Sequence, residues 1–297
     1  MDIRVLQYFL AVAREESITK AADSLHMTQP PLSRQLKELE QELGKQLLIR
    51  GSKKVTLTED GLLLRKRAEE LVALMEKTKA ELSAADANLS GEVYIGSGET
   101  EAISFMAQAA ERLRQKGHRI HYHIYSGDAG HIMERLDKGL IDFGLLIEPA
   151  SIEKYHHLQL PVTDTWGVLM RKDAPLAARD AIRAADLWNE PLIVSHQISA
   201  SSRLSAWLQM DIAKLHIVAT YNLIYNATHF VNQGLGYALA LDRLINITGD
   251  SSLCFRPLDP PLSARLYVVW KKHQVFSGSA RLFLQQLHKT LPQPAAE

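Results

Sequence analysis

Gln29, Pro30, Ser33, Arg34 and Lys37 fall on one side of any helix built over them, because steps of three and four return to the same face. Together they offer an amide, a hydroxyl, a guanidinium and an ammonium, with no carboxylate. Such groups donate to base edges in a major groove and to phosphates. Glu38, Glu40 and Glu42 turn toward other directions of the same helix. Taken alone, this face equally describes a solvent-washed helix in a small bundle. A second basic feature follows, where Arg50, Lys53 and Lys54 meet no acid until Glu59. Between Lys20 and Arg67 ten Lys/Arg face six Asp/Glu, although the whole chain balances 34 against 34. The placement of charge therefore carries more than its sum, while a short basic run by itself reads as a solvated turn.

The surrounding pattern predicts the elements that would present these groups. Leu6, Phe9, Leu10 and Ala13 define a first amphipathic helix. Ser17 can cap a second, with Ile18, Ala21, Ala22 and Leu25 inward. His26 and Met27 leave only a tight connection before Thr28, which can cap a third helix. Pro30 and Pro31 are tolerated in its first turn, where amides lack intrahelical partners. The buried stripe of that helix is Leu32, Leu36, Leu39 and Leu43, and Gly44 ends it. Residues 47–49 and 55–57 read as two short strands joined by the basic turn at Gly51, which makes a wing. Helix, short helix, tight turn, polar helix and basic hairpin, in that order, favour a winged helix-turn-helix.

Thr58 then caps a long helix, with Glu59 and Asp60 favouring its dipole, that can run to about Asn88 without a proline. Leu64, Ala68, Leu71, Met75, Thr78, Leu82, Ala85 and Leu89 alternate in steps of four and three, an a/d seam of more than three heptads. Leu64, Leu71, Met75 and Leu82 are the candidate dimerisation residues. Packing on its own domain competes with pairing, but a two-fold protein matches an inverted-repeat DNA site.

The stretches Phe9 to Ala13, Ser17 to Ala22, Thr28 to Glu40 and Leu57-Thr58-Glu59-Asp60-Gly61 together resemble the N-terminal domain of LysR-type transcriptional regulators, continuously over about the first 65 residues. The resemblance implies that Gln29, Pro30, Ser33, Arg34 and Lys37 face DNA and that Arg50 and Lys53 serve the wing. Thr28 and Lys54 complete the expected DNA-contact set. Leu48 departs from the family's usual phenylalanine, and Lys53 stands where an arginine is common. Lysine lacks the planar guanidinium fork, which would weaken minor-groove contact there. More faintly, Gly139-Leu140-Ile141-Asp142 and Val231 to Leu239 are similar to recurrent phrases of the family's effector domain. That part of the family folds as two lobes like a periplasmic binding protein, with a ligand cleft between them. Asp242 departs from the proline that many members carry after the last strand of the second lobe.

Beyond Ser90 the residue pattern itself changes to alternating strands and helices, which argues for α/β sheets. Strands are expected at 93–96, 121–125, 141–147, 166–170, 192–195, 217–220, 237–241 and 265–270. The expected organisation is a winged helix-turn-helix over 1–57, a linker and dimerisation helix over 58–90, and an effector domain over 91–297. Lobe I would span 92–162 and 268–297, and lobe II 163–267. Ligands of open α/β sheets lie beyond the carboxyl ends of strands, near helix N-termini. On that rule the candidates are Ser97, Gly98, Thr100, Gly127, Asp128 and Ile147 in the first lobe, and Ser195, His196, Ser199 and Thr220 in the second. Their hydroxyls and amides suit a carboxylate or other small anion, which Glu99, Glu101, Asp128 and Glu148 would repel unless turned away.

Other chemistries find less support. Twelve histidines include His121 and His123, which share a strand face, but no cysteine or acid completes a metal set at a recognised interval. Cys254 is the single cysteine, so no internal disulfide switch is available, and its apolar neighbours suit a buried thiol. Ser195 and His196 are adjacent in sequence, whereas a catalytic triad forms in space. Gly96-Ser97-Gly98 lacks the third glycine of a dinucleotide loop. No signal peptide or apolar run near 18 residues is present, which with one cysteine predicts a cytoplasmic protein. The expectation is therefore a regulator without enzymatic activity or cofactor. It would be a homodimer or homotetramer on double-stranded DNA at an inverted-repeat promoter site, contacting RNA polymerase and tuned by a small-molecule effector.

Overall fold

The computed structural model describes residues 1–51, 54–83, 90–197 and 202–291, and the chain divides into two units, Met1–Ser83 and Ala84–Glu297. The first unit runs α1 (Ile3–Glu15), α2 (Ile18–Ser24), α3 (Gln29–Leu43), β1 (Leu48–Arg50), β2 (Val55–Leu57) and α4 (Glu59–Ser83). The Ser17 hydroxyl accepts from the Lys20 amide at 3.3 Å, capping α2. Thr28 holds the extended N-cap position of α3, yet its side chain makes no capping bond. Gly44 closes α3 in the left-handed region at φ 63°, a backbone that glycine adopts without a Cβ penalty. Phe9, Val12, Ala21, Leu32, Leu36 and Leu39 interlock as the core, with Leu47 and Leu48 from the wing. Leu43, expected in the buried stripe, sits in the last turn at 40% exposure. Leu48 is buried, so its departure from phenylalanine is a packing change.

The wing pairs Leu48 with Leu57, Ile49 with Thr56 and Arg50 with Val55, antiparallel. The Thr58 hydroxyl donates to the Gln46 carbonyl at 2.7 Å and accepts from the Gly61 amide at 3.0 Å. That bond starts α4 tight against the wing. A Cβ on Gly61 would lie 2.2 Å from the Leu47 carbonyl oxygen, so the close approach requires glycine. Along α4 the expected seam divides. Ala68 is fully buried, and Leu64 packs half-buried against the core of its own unit, so Leu64 is not free to pair with a second chain. Leu71 and Leu82 are 43% and 82% exposed, Met75 is half-buried, and Leu62, Leu63 and Leu74 are also open. Ala85 and Leu89 of the seam lie outside the described residues.

The second unit begins with β3 (Ser90–Ser97), α5 (Ile103–Gln115), β4 (Arg119–Ser126), α6 (Ala129–Asp137), β5 (Phe143–Ile147) and β6 (Tyr155–Arg171). It continues with α7 (Ala184–Leu187), β7 (Leu192–Ser195), α8 (Ser202–Leu208), β8 (Ile217–Tyr221), α9 (Ile224–Asn232) and β9 (Tyr237–Leu241). It ends with β10 (Leu253–Pro257), β11 (Ser263–Lys271) and α10 (Gly278–Thr290). The strands order as β4-β3-β5-β11-β6-β9-β7-β8, with β10 also on β6. β6 joins two lobes. Its Tyr155–Thr165 part pairs with β11, and Trp166–Arg171 pairs with β9 and β10. In lobe I, Val93, Ile95, Phe143, Leu145 and Val268 pack under Met106 and Phe283; in lobe II, Val168, Val194 and Leu239 pack under Leu204 and Trp207.

The sequence pattern anticipated only the end of β6, and the reason is local. Pro161 lies where Leu160–Val162 oppose the single residue Leu266, between the pairs Gln159–Tyr267 and Thr163–Arg265. Proline has no amide to donate and is accommodated at such an irregularity. β10 is a further strand that the pattern did not mark. The return into lobe I also comes earlier than residue 268, because Leu266 and Tyr267 already pair with β5. Replacing Gly61 with alanine is expected to destabilise the first unit by about 1–3 kcal/mol through overpacking, read as a lower urea midpoint for the isolated transition of that unit.

Candidate DNA-reading face and effector cleft

Burial of Leu32, Leu36 and Leu39 fixes the rotation of α3 and leaves its other side in water. Thr28, Gln29, Pro30, Arg34 and Lys37 are exposed there, and Ser33 is half-buried between them. The Arg50 guanidinium donates to the Ser33 hydroxyl at 3.1 Å, tying the wing strand to the helix. Two local carboxylates are closer than the sequence suggested. Glu38 takes a hydrogen bond from Arg34 at 2.8 Å and another from Gln35 at 3.0 Å, so it belongs beside the basic face. Lys54 pairs with Glu16 at 3.3 Å, which supplies the acid that the wing run lacks in linear order. Both pairs are largely exposed, where screening makes them weak and exchangeable. Lys53 lies outside the described residues.

The second site is an open cleft between the two lobes of the Ala84–Glu297 unit. Gly98, Glu99, Gly127, Asp128, Ile147 and Glu148 line it from the ends of β3, β4 and β5. Ser195, Gln197, Tyr221 and Ile224 face them from the ends of β7 and β8. Trp166, Leu204, Leu241 and Leu244 form much of the apolar wall. Of the sequence candidates, the cleft gathers Gly98, Gly127, Asp128, Ile147 and Ser195. Ser97 and Thr100 are buried beneath it instead. The Ser97 hydroxyl donates to the Gly98 carbonyl, and the Thr100 hydroxyl accepts from the Ala102 amide and hydrogen-bonds Asp164. Thr220 is exposed and outside the lining, because successive residues of β8 point to opposite faces and it is Tyr221 that lines the cleft. Ser199 lies outside the described residues. His196 does not line the cleft but stands 3.6 Å from Asp128. Trp166, Leu241 and Leu244 are apolar and carry no polar strand-end signal; the large aromatic Trp166 at the crossover into lobe II is the feature of the sequence that marks this wall.

The acids of the cleft are engaged in different ways. Asp128 caps α6, accepting from the His131 amide at 3.0 Å and meeting the His131 ring at 2.6 Å. Burial pushes its pKa up, but the His131 hydrogen bonds and the charges of His131 and His196 outweigh that and hold it below the ordinary value. Glu148 is gripped by Arg265 at 2.7 and 3.1 Å and by Arg203 of lobe II at 3.0 Å. The Arg265 hydrogen bonds lower its pKa despite partial burial. Glu99, from lobe I, accepts from the Ile224 amide at 2.5 Å at the start of α9 in lobe II. Burial raises its pKa, and the Ile224 and Tyr225 amides only partly offset this.

His121 and His123, Cys254 and the Ser195-His196 pair have other partners among the described residues. Among the described residues no His/Cys/Asp/Glu group is arranged to hold a metal. His123 stacks on Tyr94 with ring centres 4.3 Å apart, and His121 meets it edge-on. Ser195 accepts from the Gln197 amide while His196 bonds the Tyr221 carbonyl, so this neighbouring pair serves different partners. Cys254 is buried on β10, its thiol 3.8 Å from the Arg171 carbonyl, and burial pushes its pKa up. Among the described residues no helix is long and apolar enough to cross a membrane.

A winged helix-turn-helix joined to two α/β lobes around a cleft defines a transcription regulator with its own sensor. The chain belongs to the LysR family: the model for the bacterial regulatory helix-turn-helix protein, lysR family, matches residues 3–62, and that for the LysR substrate binding domain matches residues 86–292. It is 29% identical over 290 residues to the uncharacterized HTH-type transcriptional regulator YvbU of Bacillus subtilis, covering 96% of this chain and 97% of that one. It is 31% identical over 203 residues to the HTH-type transcriptional regulator BsdA of the same organism, covering 67% and 68%. Among solved structures it is similar in fold to CbnR, a LysR family transcriptional regulator, with a TM-score of 0.74 at 16% identity over 99% of this chain and all of that one. The protein is accordingly a DNA-binding transcription regulator with an effector-binding domain, and its relatives are regulators.

The carboxylates give a signed acid response. Glu148 has a folded pKa below the ordinary 4.5, so its pairing contributes fully above that value and is lost as pH falls through the lowered one. Thermal melts of wild type should lose stability on acidification below 4.5, and Glu148→Gln should start lower at neutral pH and lose less over that acid interval.

Proposed function

We propose that α3 enters the major groove with Gln29, Pro30, Ser33, Arg34 and Lys37 toward the bases, while Thr28 at its start and Arg50, Lys53 and Lys54 of the wing hold the backbone. The observation that carries this reading is the exposed donor face of α3, coupled to the wing through Arg50 and Ser33. Arg34 exchanges the Glu38 carboxylate for base acceptors, which is inexpensive because the pair is solvent-screened. Two copies associate along α4 through its open leucines, and dimers join further into a tetramer, so that paired wings span an inverted repeat. CbnR has been solved in complex with its target DNA. That arrangement supports the same use of the first unit here.

The cleft binds a small-molecule effector. Closure or opening of the lobes shifts the population of two subunit arrangements and thereby DNA geometry and contact with RNA polymerase. The protein works in the cytoplasm by binding, without catalysis.

Arg34→Ala should narrow the preference for operator over random DNA by on the order of tenfold. Lys54→Ala should weaken both equally and flatten the salt dependence of log K by roughly one unit of slope. Equal losses on both DNAs for both variants, in fluorescence anisotropy, would refute the division. Independently, Leu71→Glu combined with Leu74→Glu should shift the protein toward monomer in sedimentation velocity and reduce operator affinity, since both side chains are open on α4.

A further inference from the structure

Two helix N-termini at the cleft, those of α6 and α9, are filled by the protein's own carboxylates. Asp128 caps α6 and Glu99 caps α9 across the lobes. These are the positions where an anionic ligand would otherwise collect helix-end amides. The charged residues that line the cleft are Glu99, Asp128 and Glu148, and among the described residues no lysine or arginine joins them. Asp128 is hydrogen-bonded by His131 with His196 3.6 Å away, and Glu148 is paired with Arg203 and Arg265. Glu99 differs. It is half-buried, it bonds to the backbone amides of Ile224 and Tyr225, and no cationic side chain among the described residues faces it. The phenol of Tyr221 lies near enough to feel its charge. Trp166, Leu204, Leu241 and Leu244 line the same cleft and give it an apolar wall.

We propose that this cleft takes a small molecule with a protonated amine and an apolar body, the amine lying against Glu99 and the body along Trp166, Leu241 and Leu244. The inference rests on the reading of the cleft as an effector site and replaces the carboxylate anticipated from the strand ends. An incoming carboxylate would have to displace Glu99 from α9 and would meet two further acids. An ammonium supplies the charge that Glu99 lacks, in a partly desolvated setting where a charge-assisted hydrogen bond is strong. The same ammonium can donate without disturbing the Ile224 amide, because a carboxylate oxygen accepts more than one hydrogen bond.

The test uses full-length protein and three probes of one shape, 3-phenylpropylamine, 3-phenylpropionate and 3-phenylpropan-1-ol, with hexylamine, hexanoate and hexanol as an aliphatic set. Binding is read by calorimetry, with operator affinity measured on the same samples. The amines should bind in both sets, and Glu99→Gln, which keeps an acceptor for the Ile224 amide, should weaken them on the order of tenfold or more. Preference for the acid or the alcohol, equal binding of all three, or no binding by any would overturn the assignment. So would amine binding that Glu99→Gln leaves unchanged. If Glu99→Gln fails to fold, the ranking of head groups on wild type decides. Protein that holds its operator but ignores amines refutes the ligand class and leaves the regulator standing, whereas loss of operator preference refutes the regulator reading itself.

Discussion

The rotation of one short helix governs the first unit. Leu32, Leu36 and Leu39 are buried to 2% exposure or less against α1 and α2, and this pins α3 with its donor face outward. Moving any one of those leucines out of the core would turn Arg34 and Lys37 away along with it, because side chains on a helix share one rigid frame. The wing is then registered to that face by Arg50 and Ser33, and the start of α4 by Thr58 and the bare Cα of Gly61. The apolar stripe thus sets which side chains of α3 face outward.

The second unit depends on a comparable economy. β6 runs through both lobes, so the lobes share a strand while each keeps its own core. Across the cleft, contacts such as Glu99 with the start of α9, Asp128 with His196 and Gln197, and Glu148 with Arg203 join the walls. Arg243 adds another at the crossover, reaching Glu101 at 3.1 Å and Asp164 at 3.5 Å. These polar contacts hold the two walls of the unit together.

Much of this could be read before any coordinates. The helical periods, the Ser17 cap, the wing and the alternation of strands all follow from local patterning, and they place the first unit's donor face. What escaped depended on partners distant in sequence. Glu16 neutralises Lys54 from 38 residues away, and Leu64 reads as an interface leucine until α4 is seen lying on its own core. In the cleft, strand ends marked Gly98, Gly127, Asp128, Ile147 and Ser195, but polarity was a poor guide to its walls. Ser97 and Thr100 spend their hydroxyls inside the lobe, whereas Trp166, Leu241 and Leu244, unremarkable as apolar residues, line the opening.

The central claim is that the carboxylate-poor face of α3 reads the major groove. Methylation interference on an operator fragment tests it most directly, because guanine N7 projects into that groove and adenine N3 into the other. Methylation at N7 of guanines in two half-sites, one helical turn or a multiple apart, should block binding. Binding indifferent to N7 methylation at every guanine of a guanine-containing operator, with interference confined to adenine N3, would contradict the account.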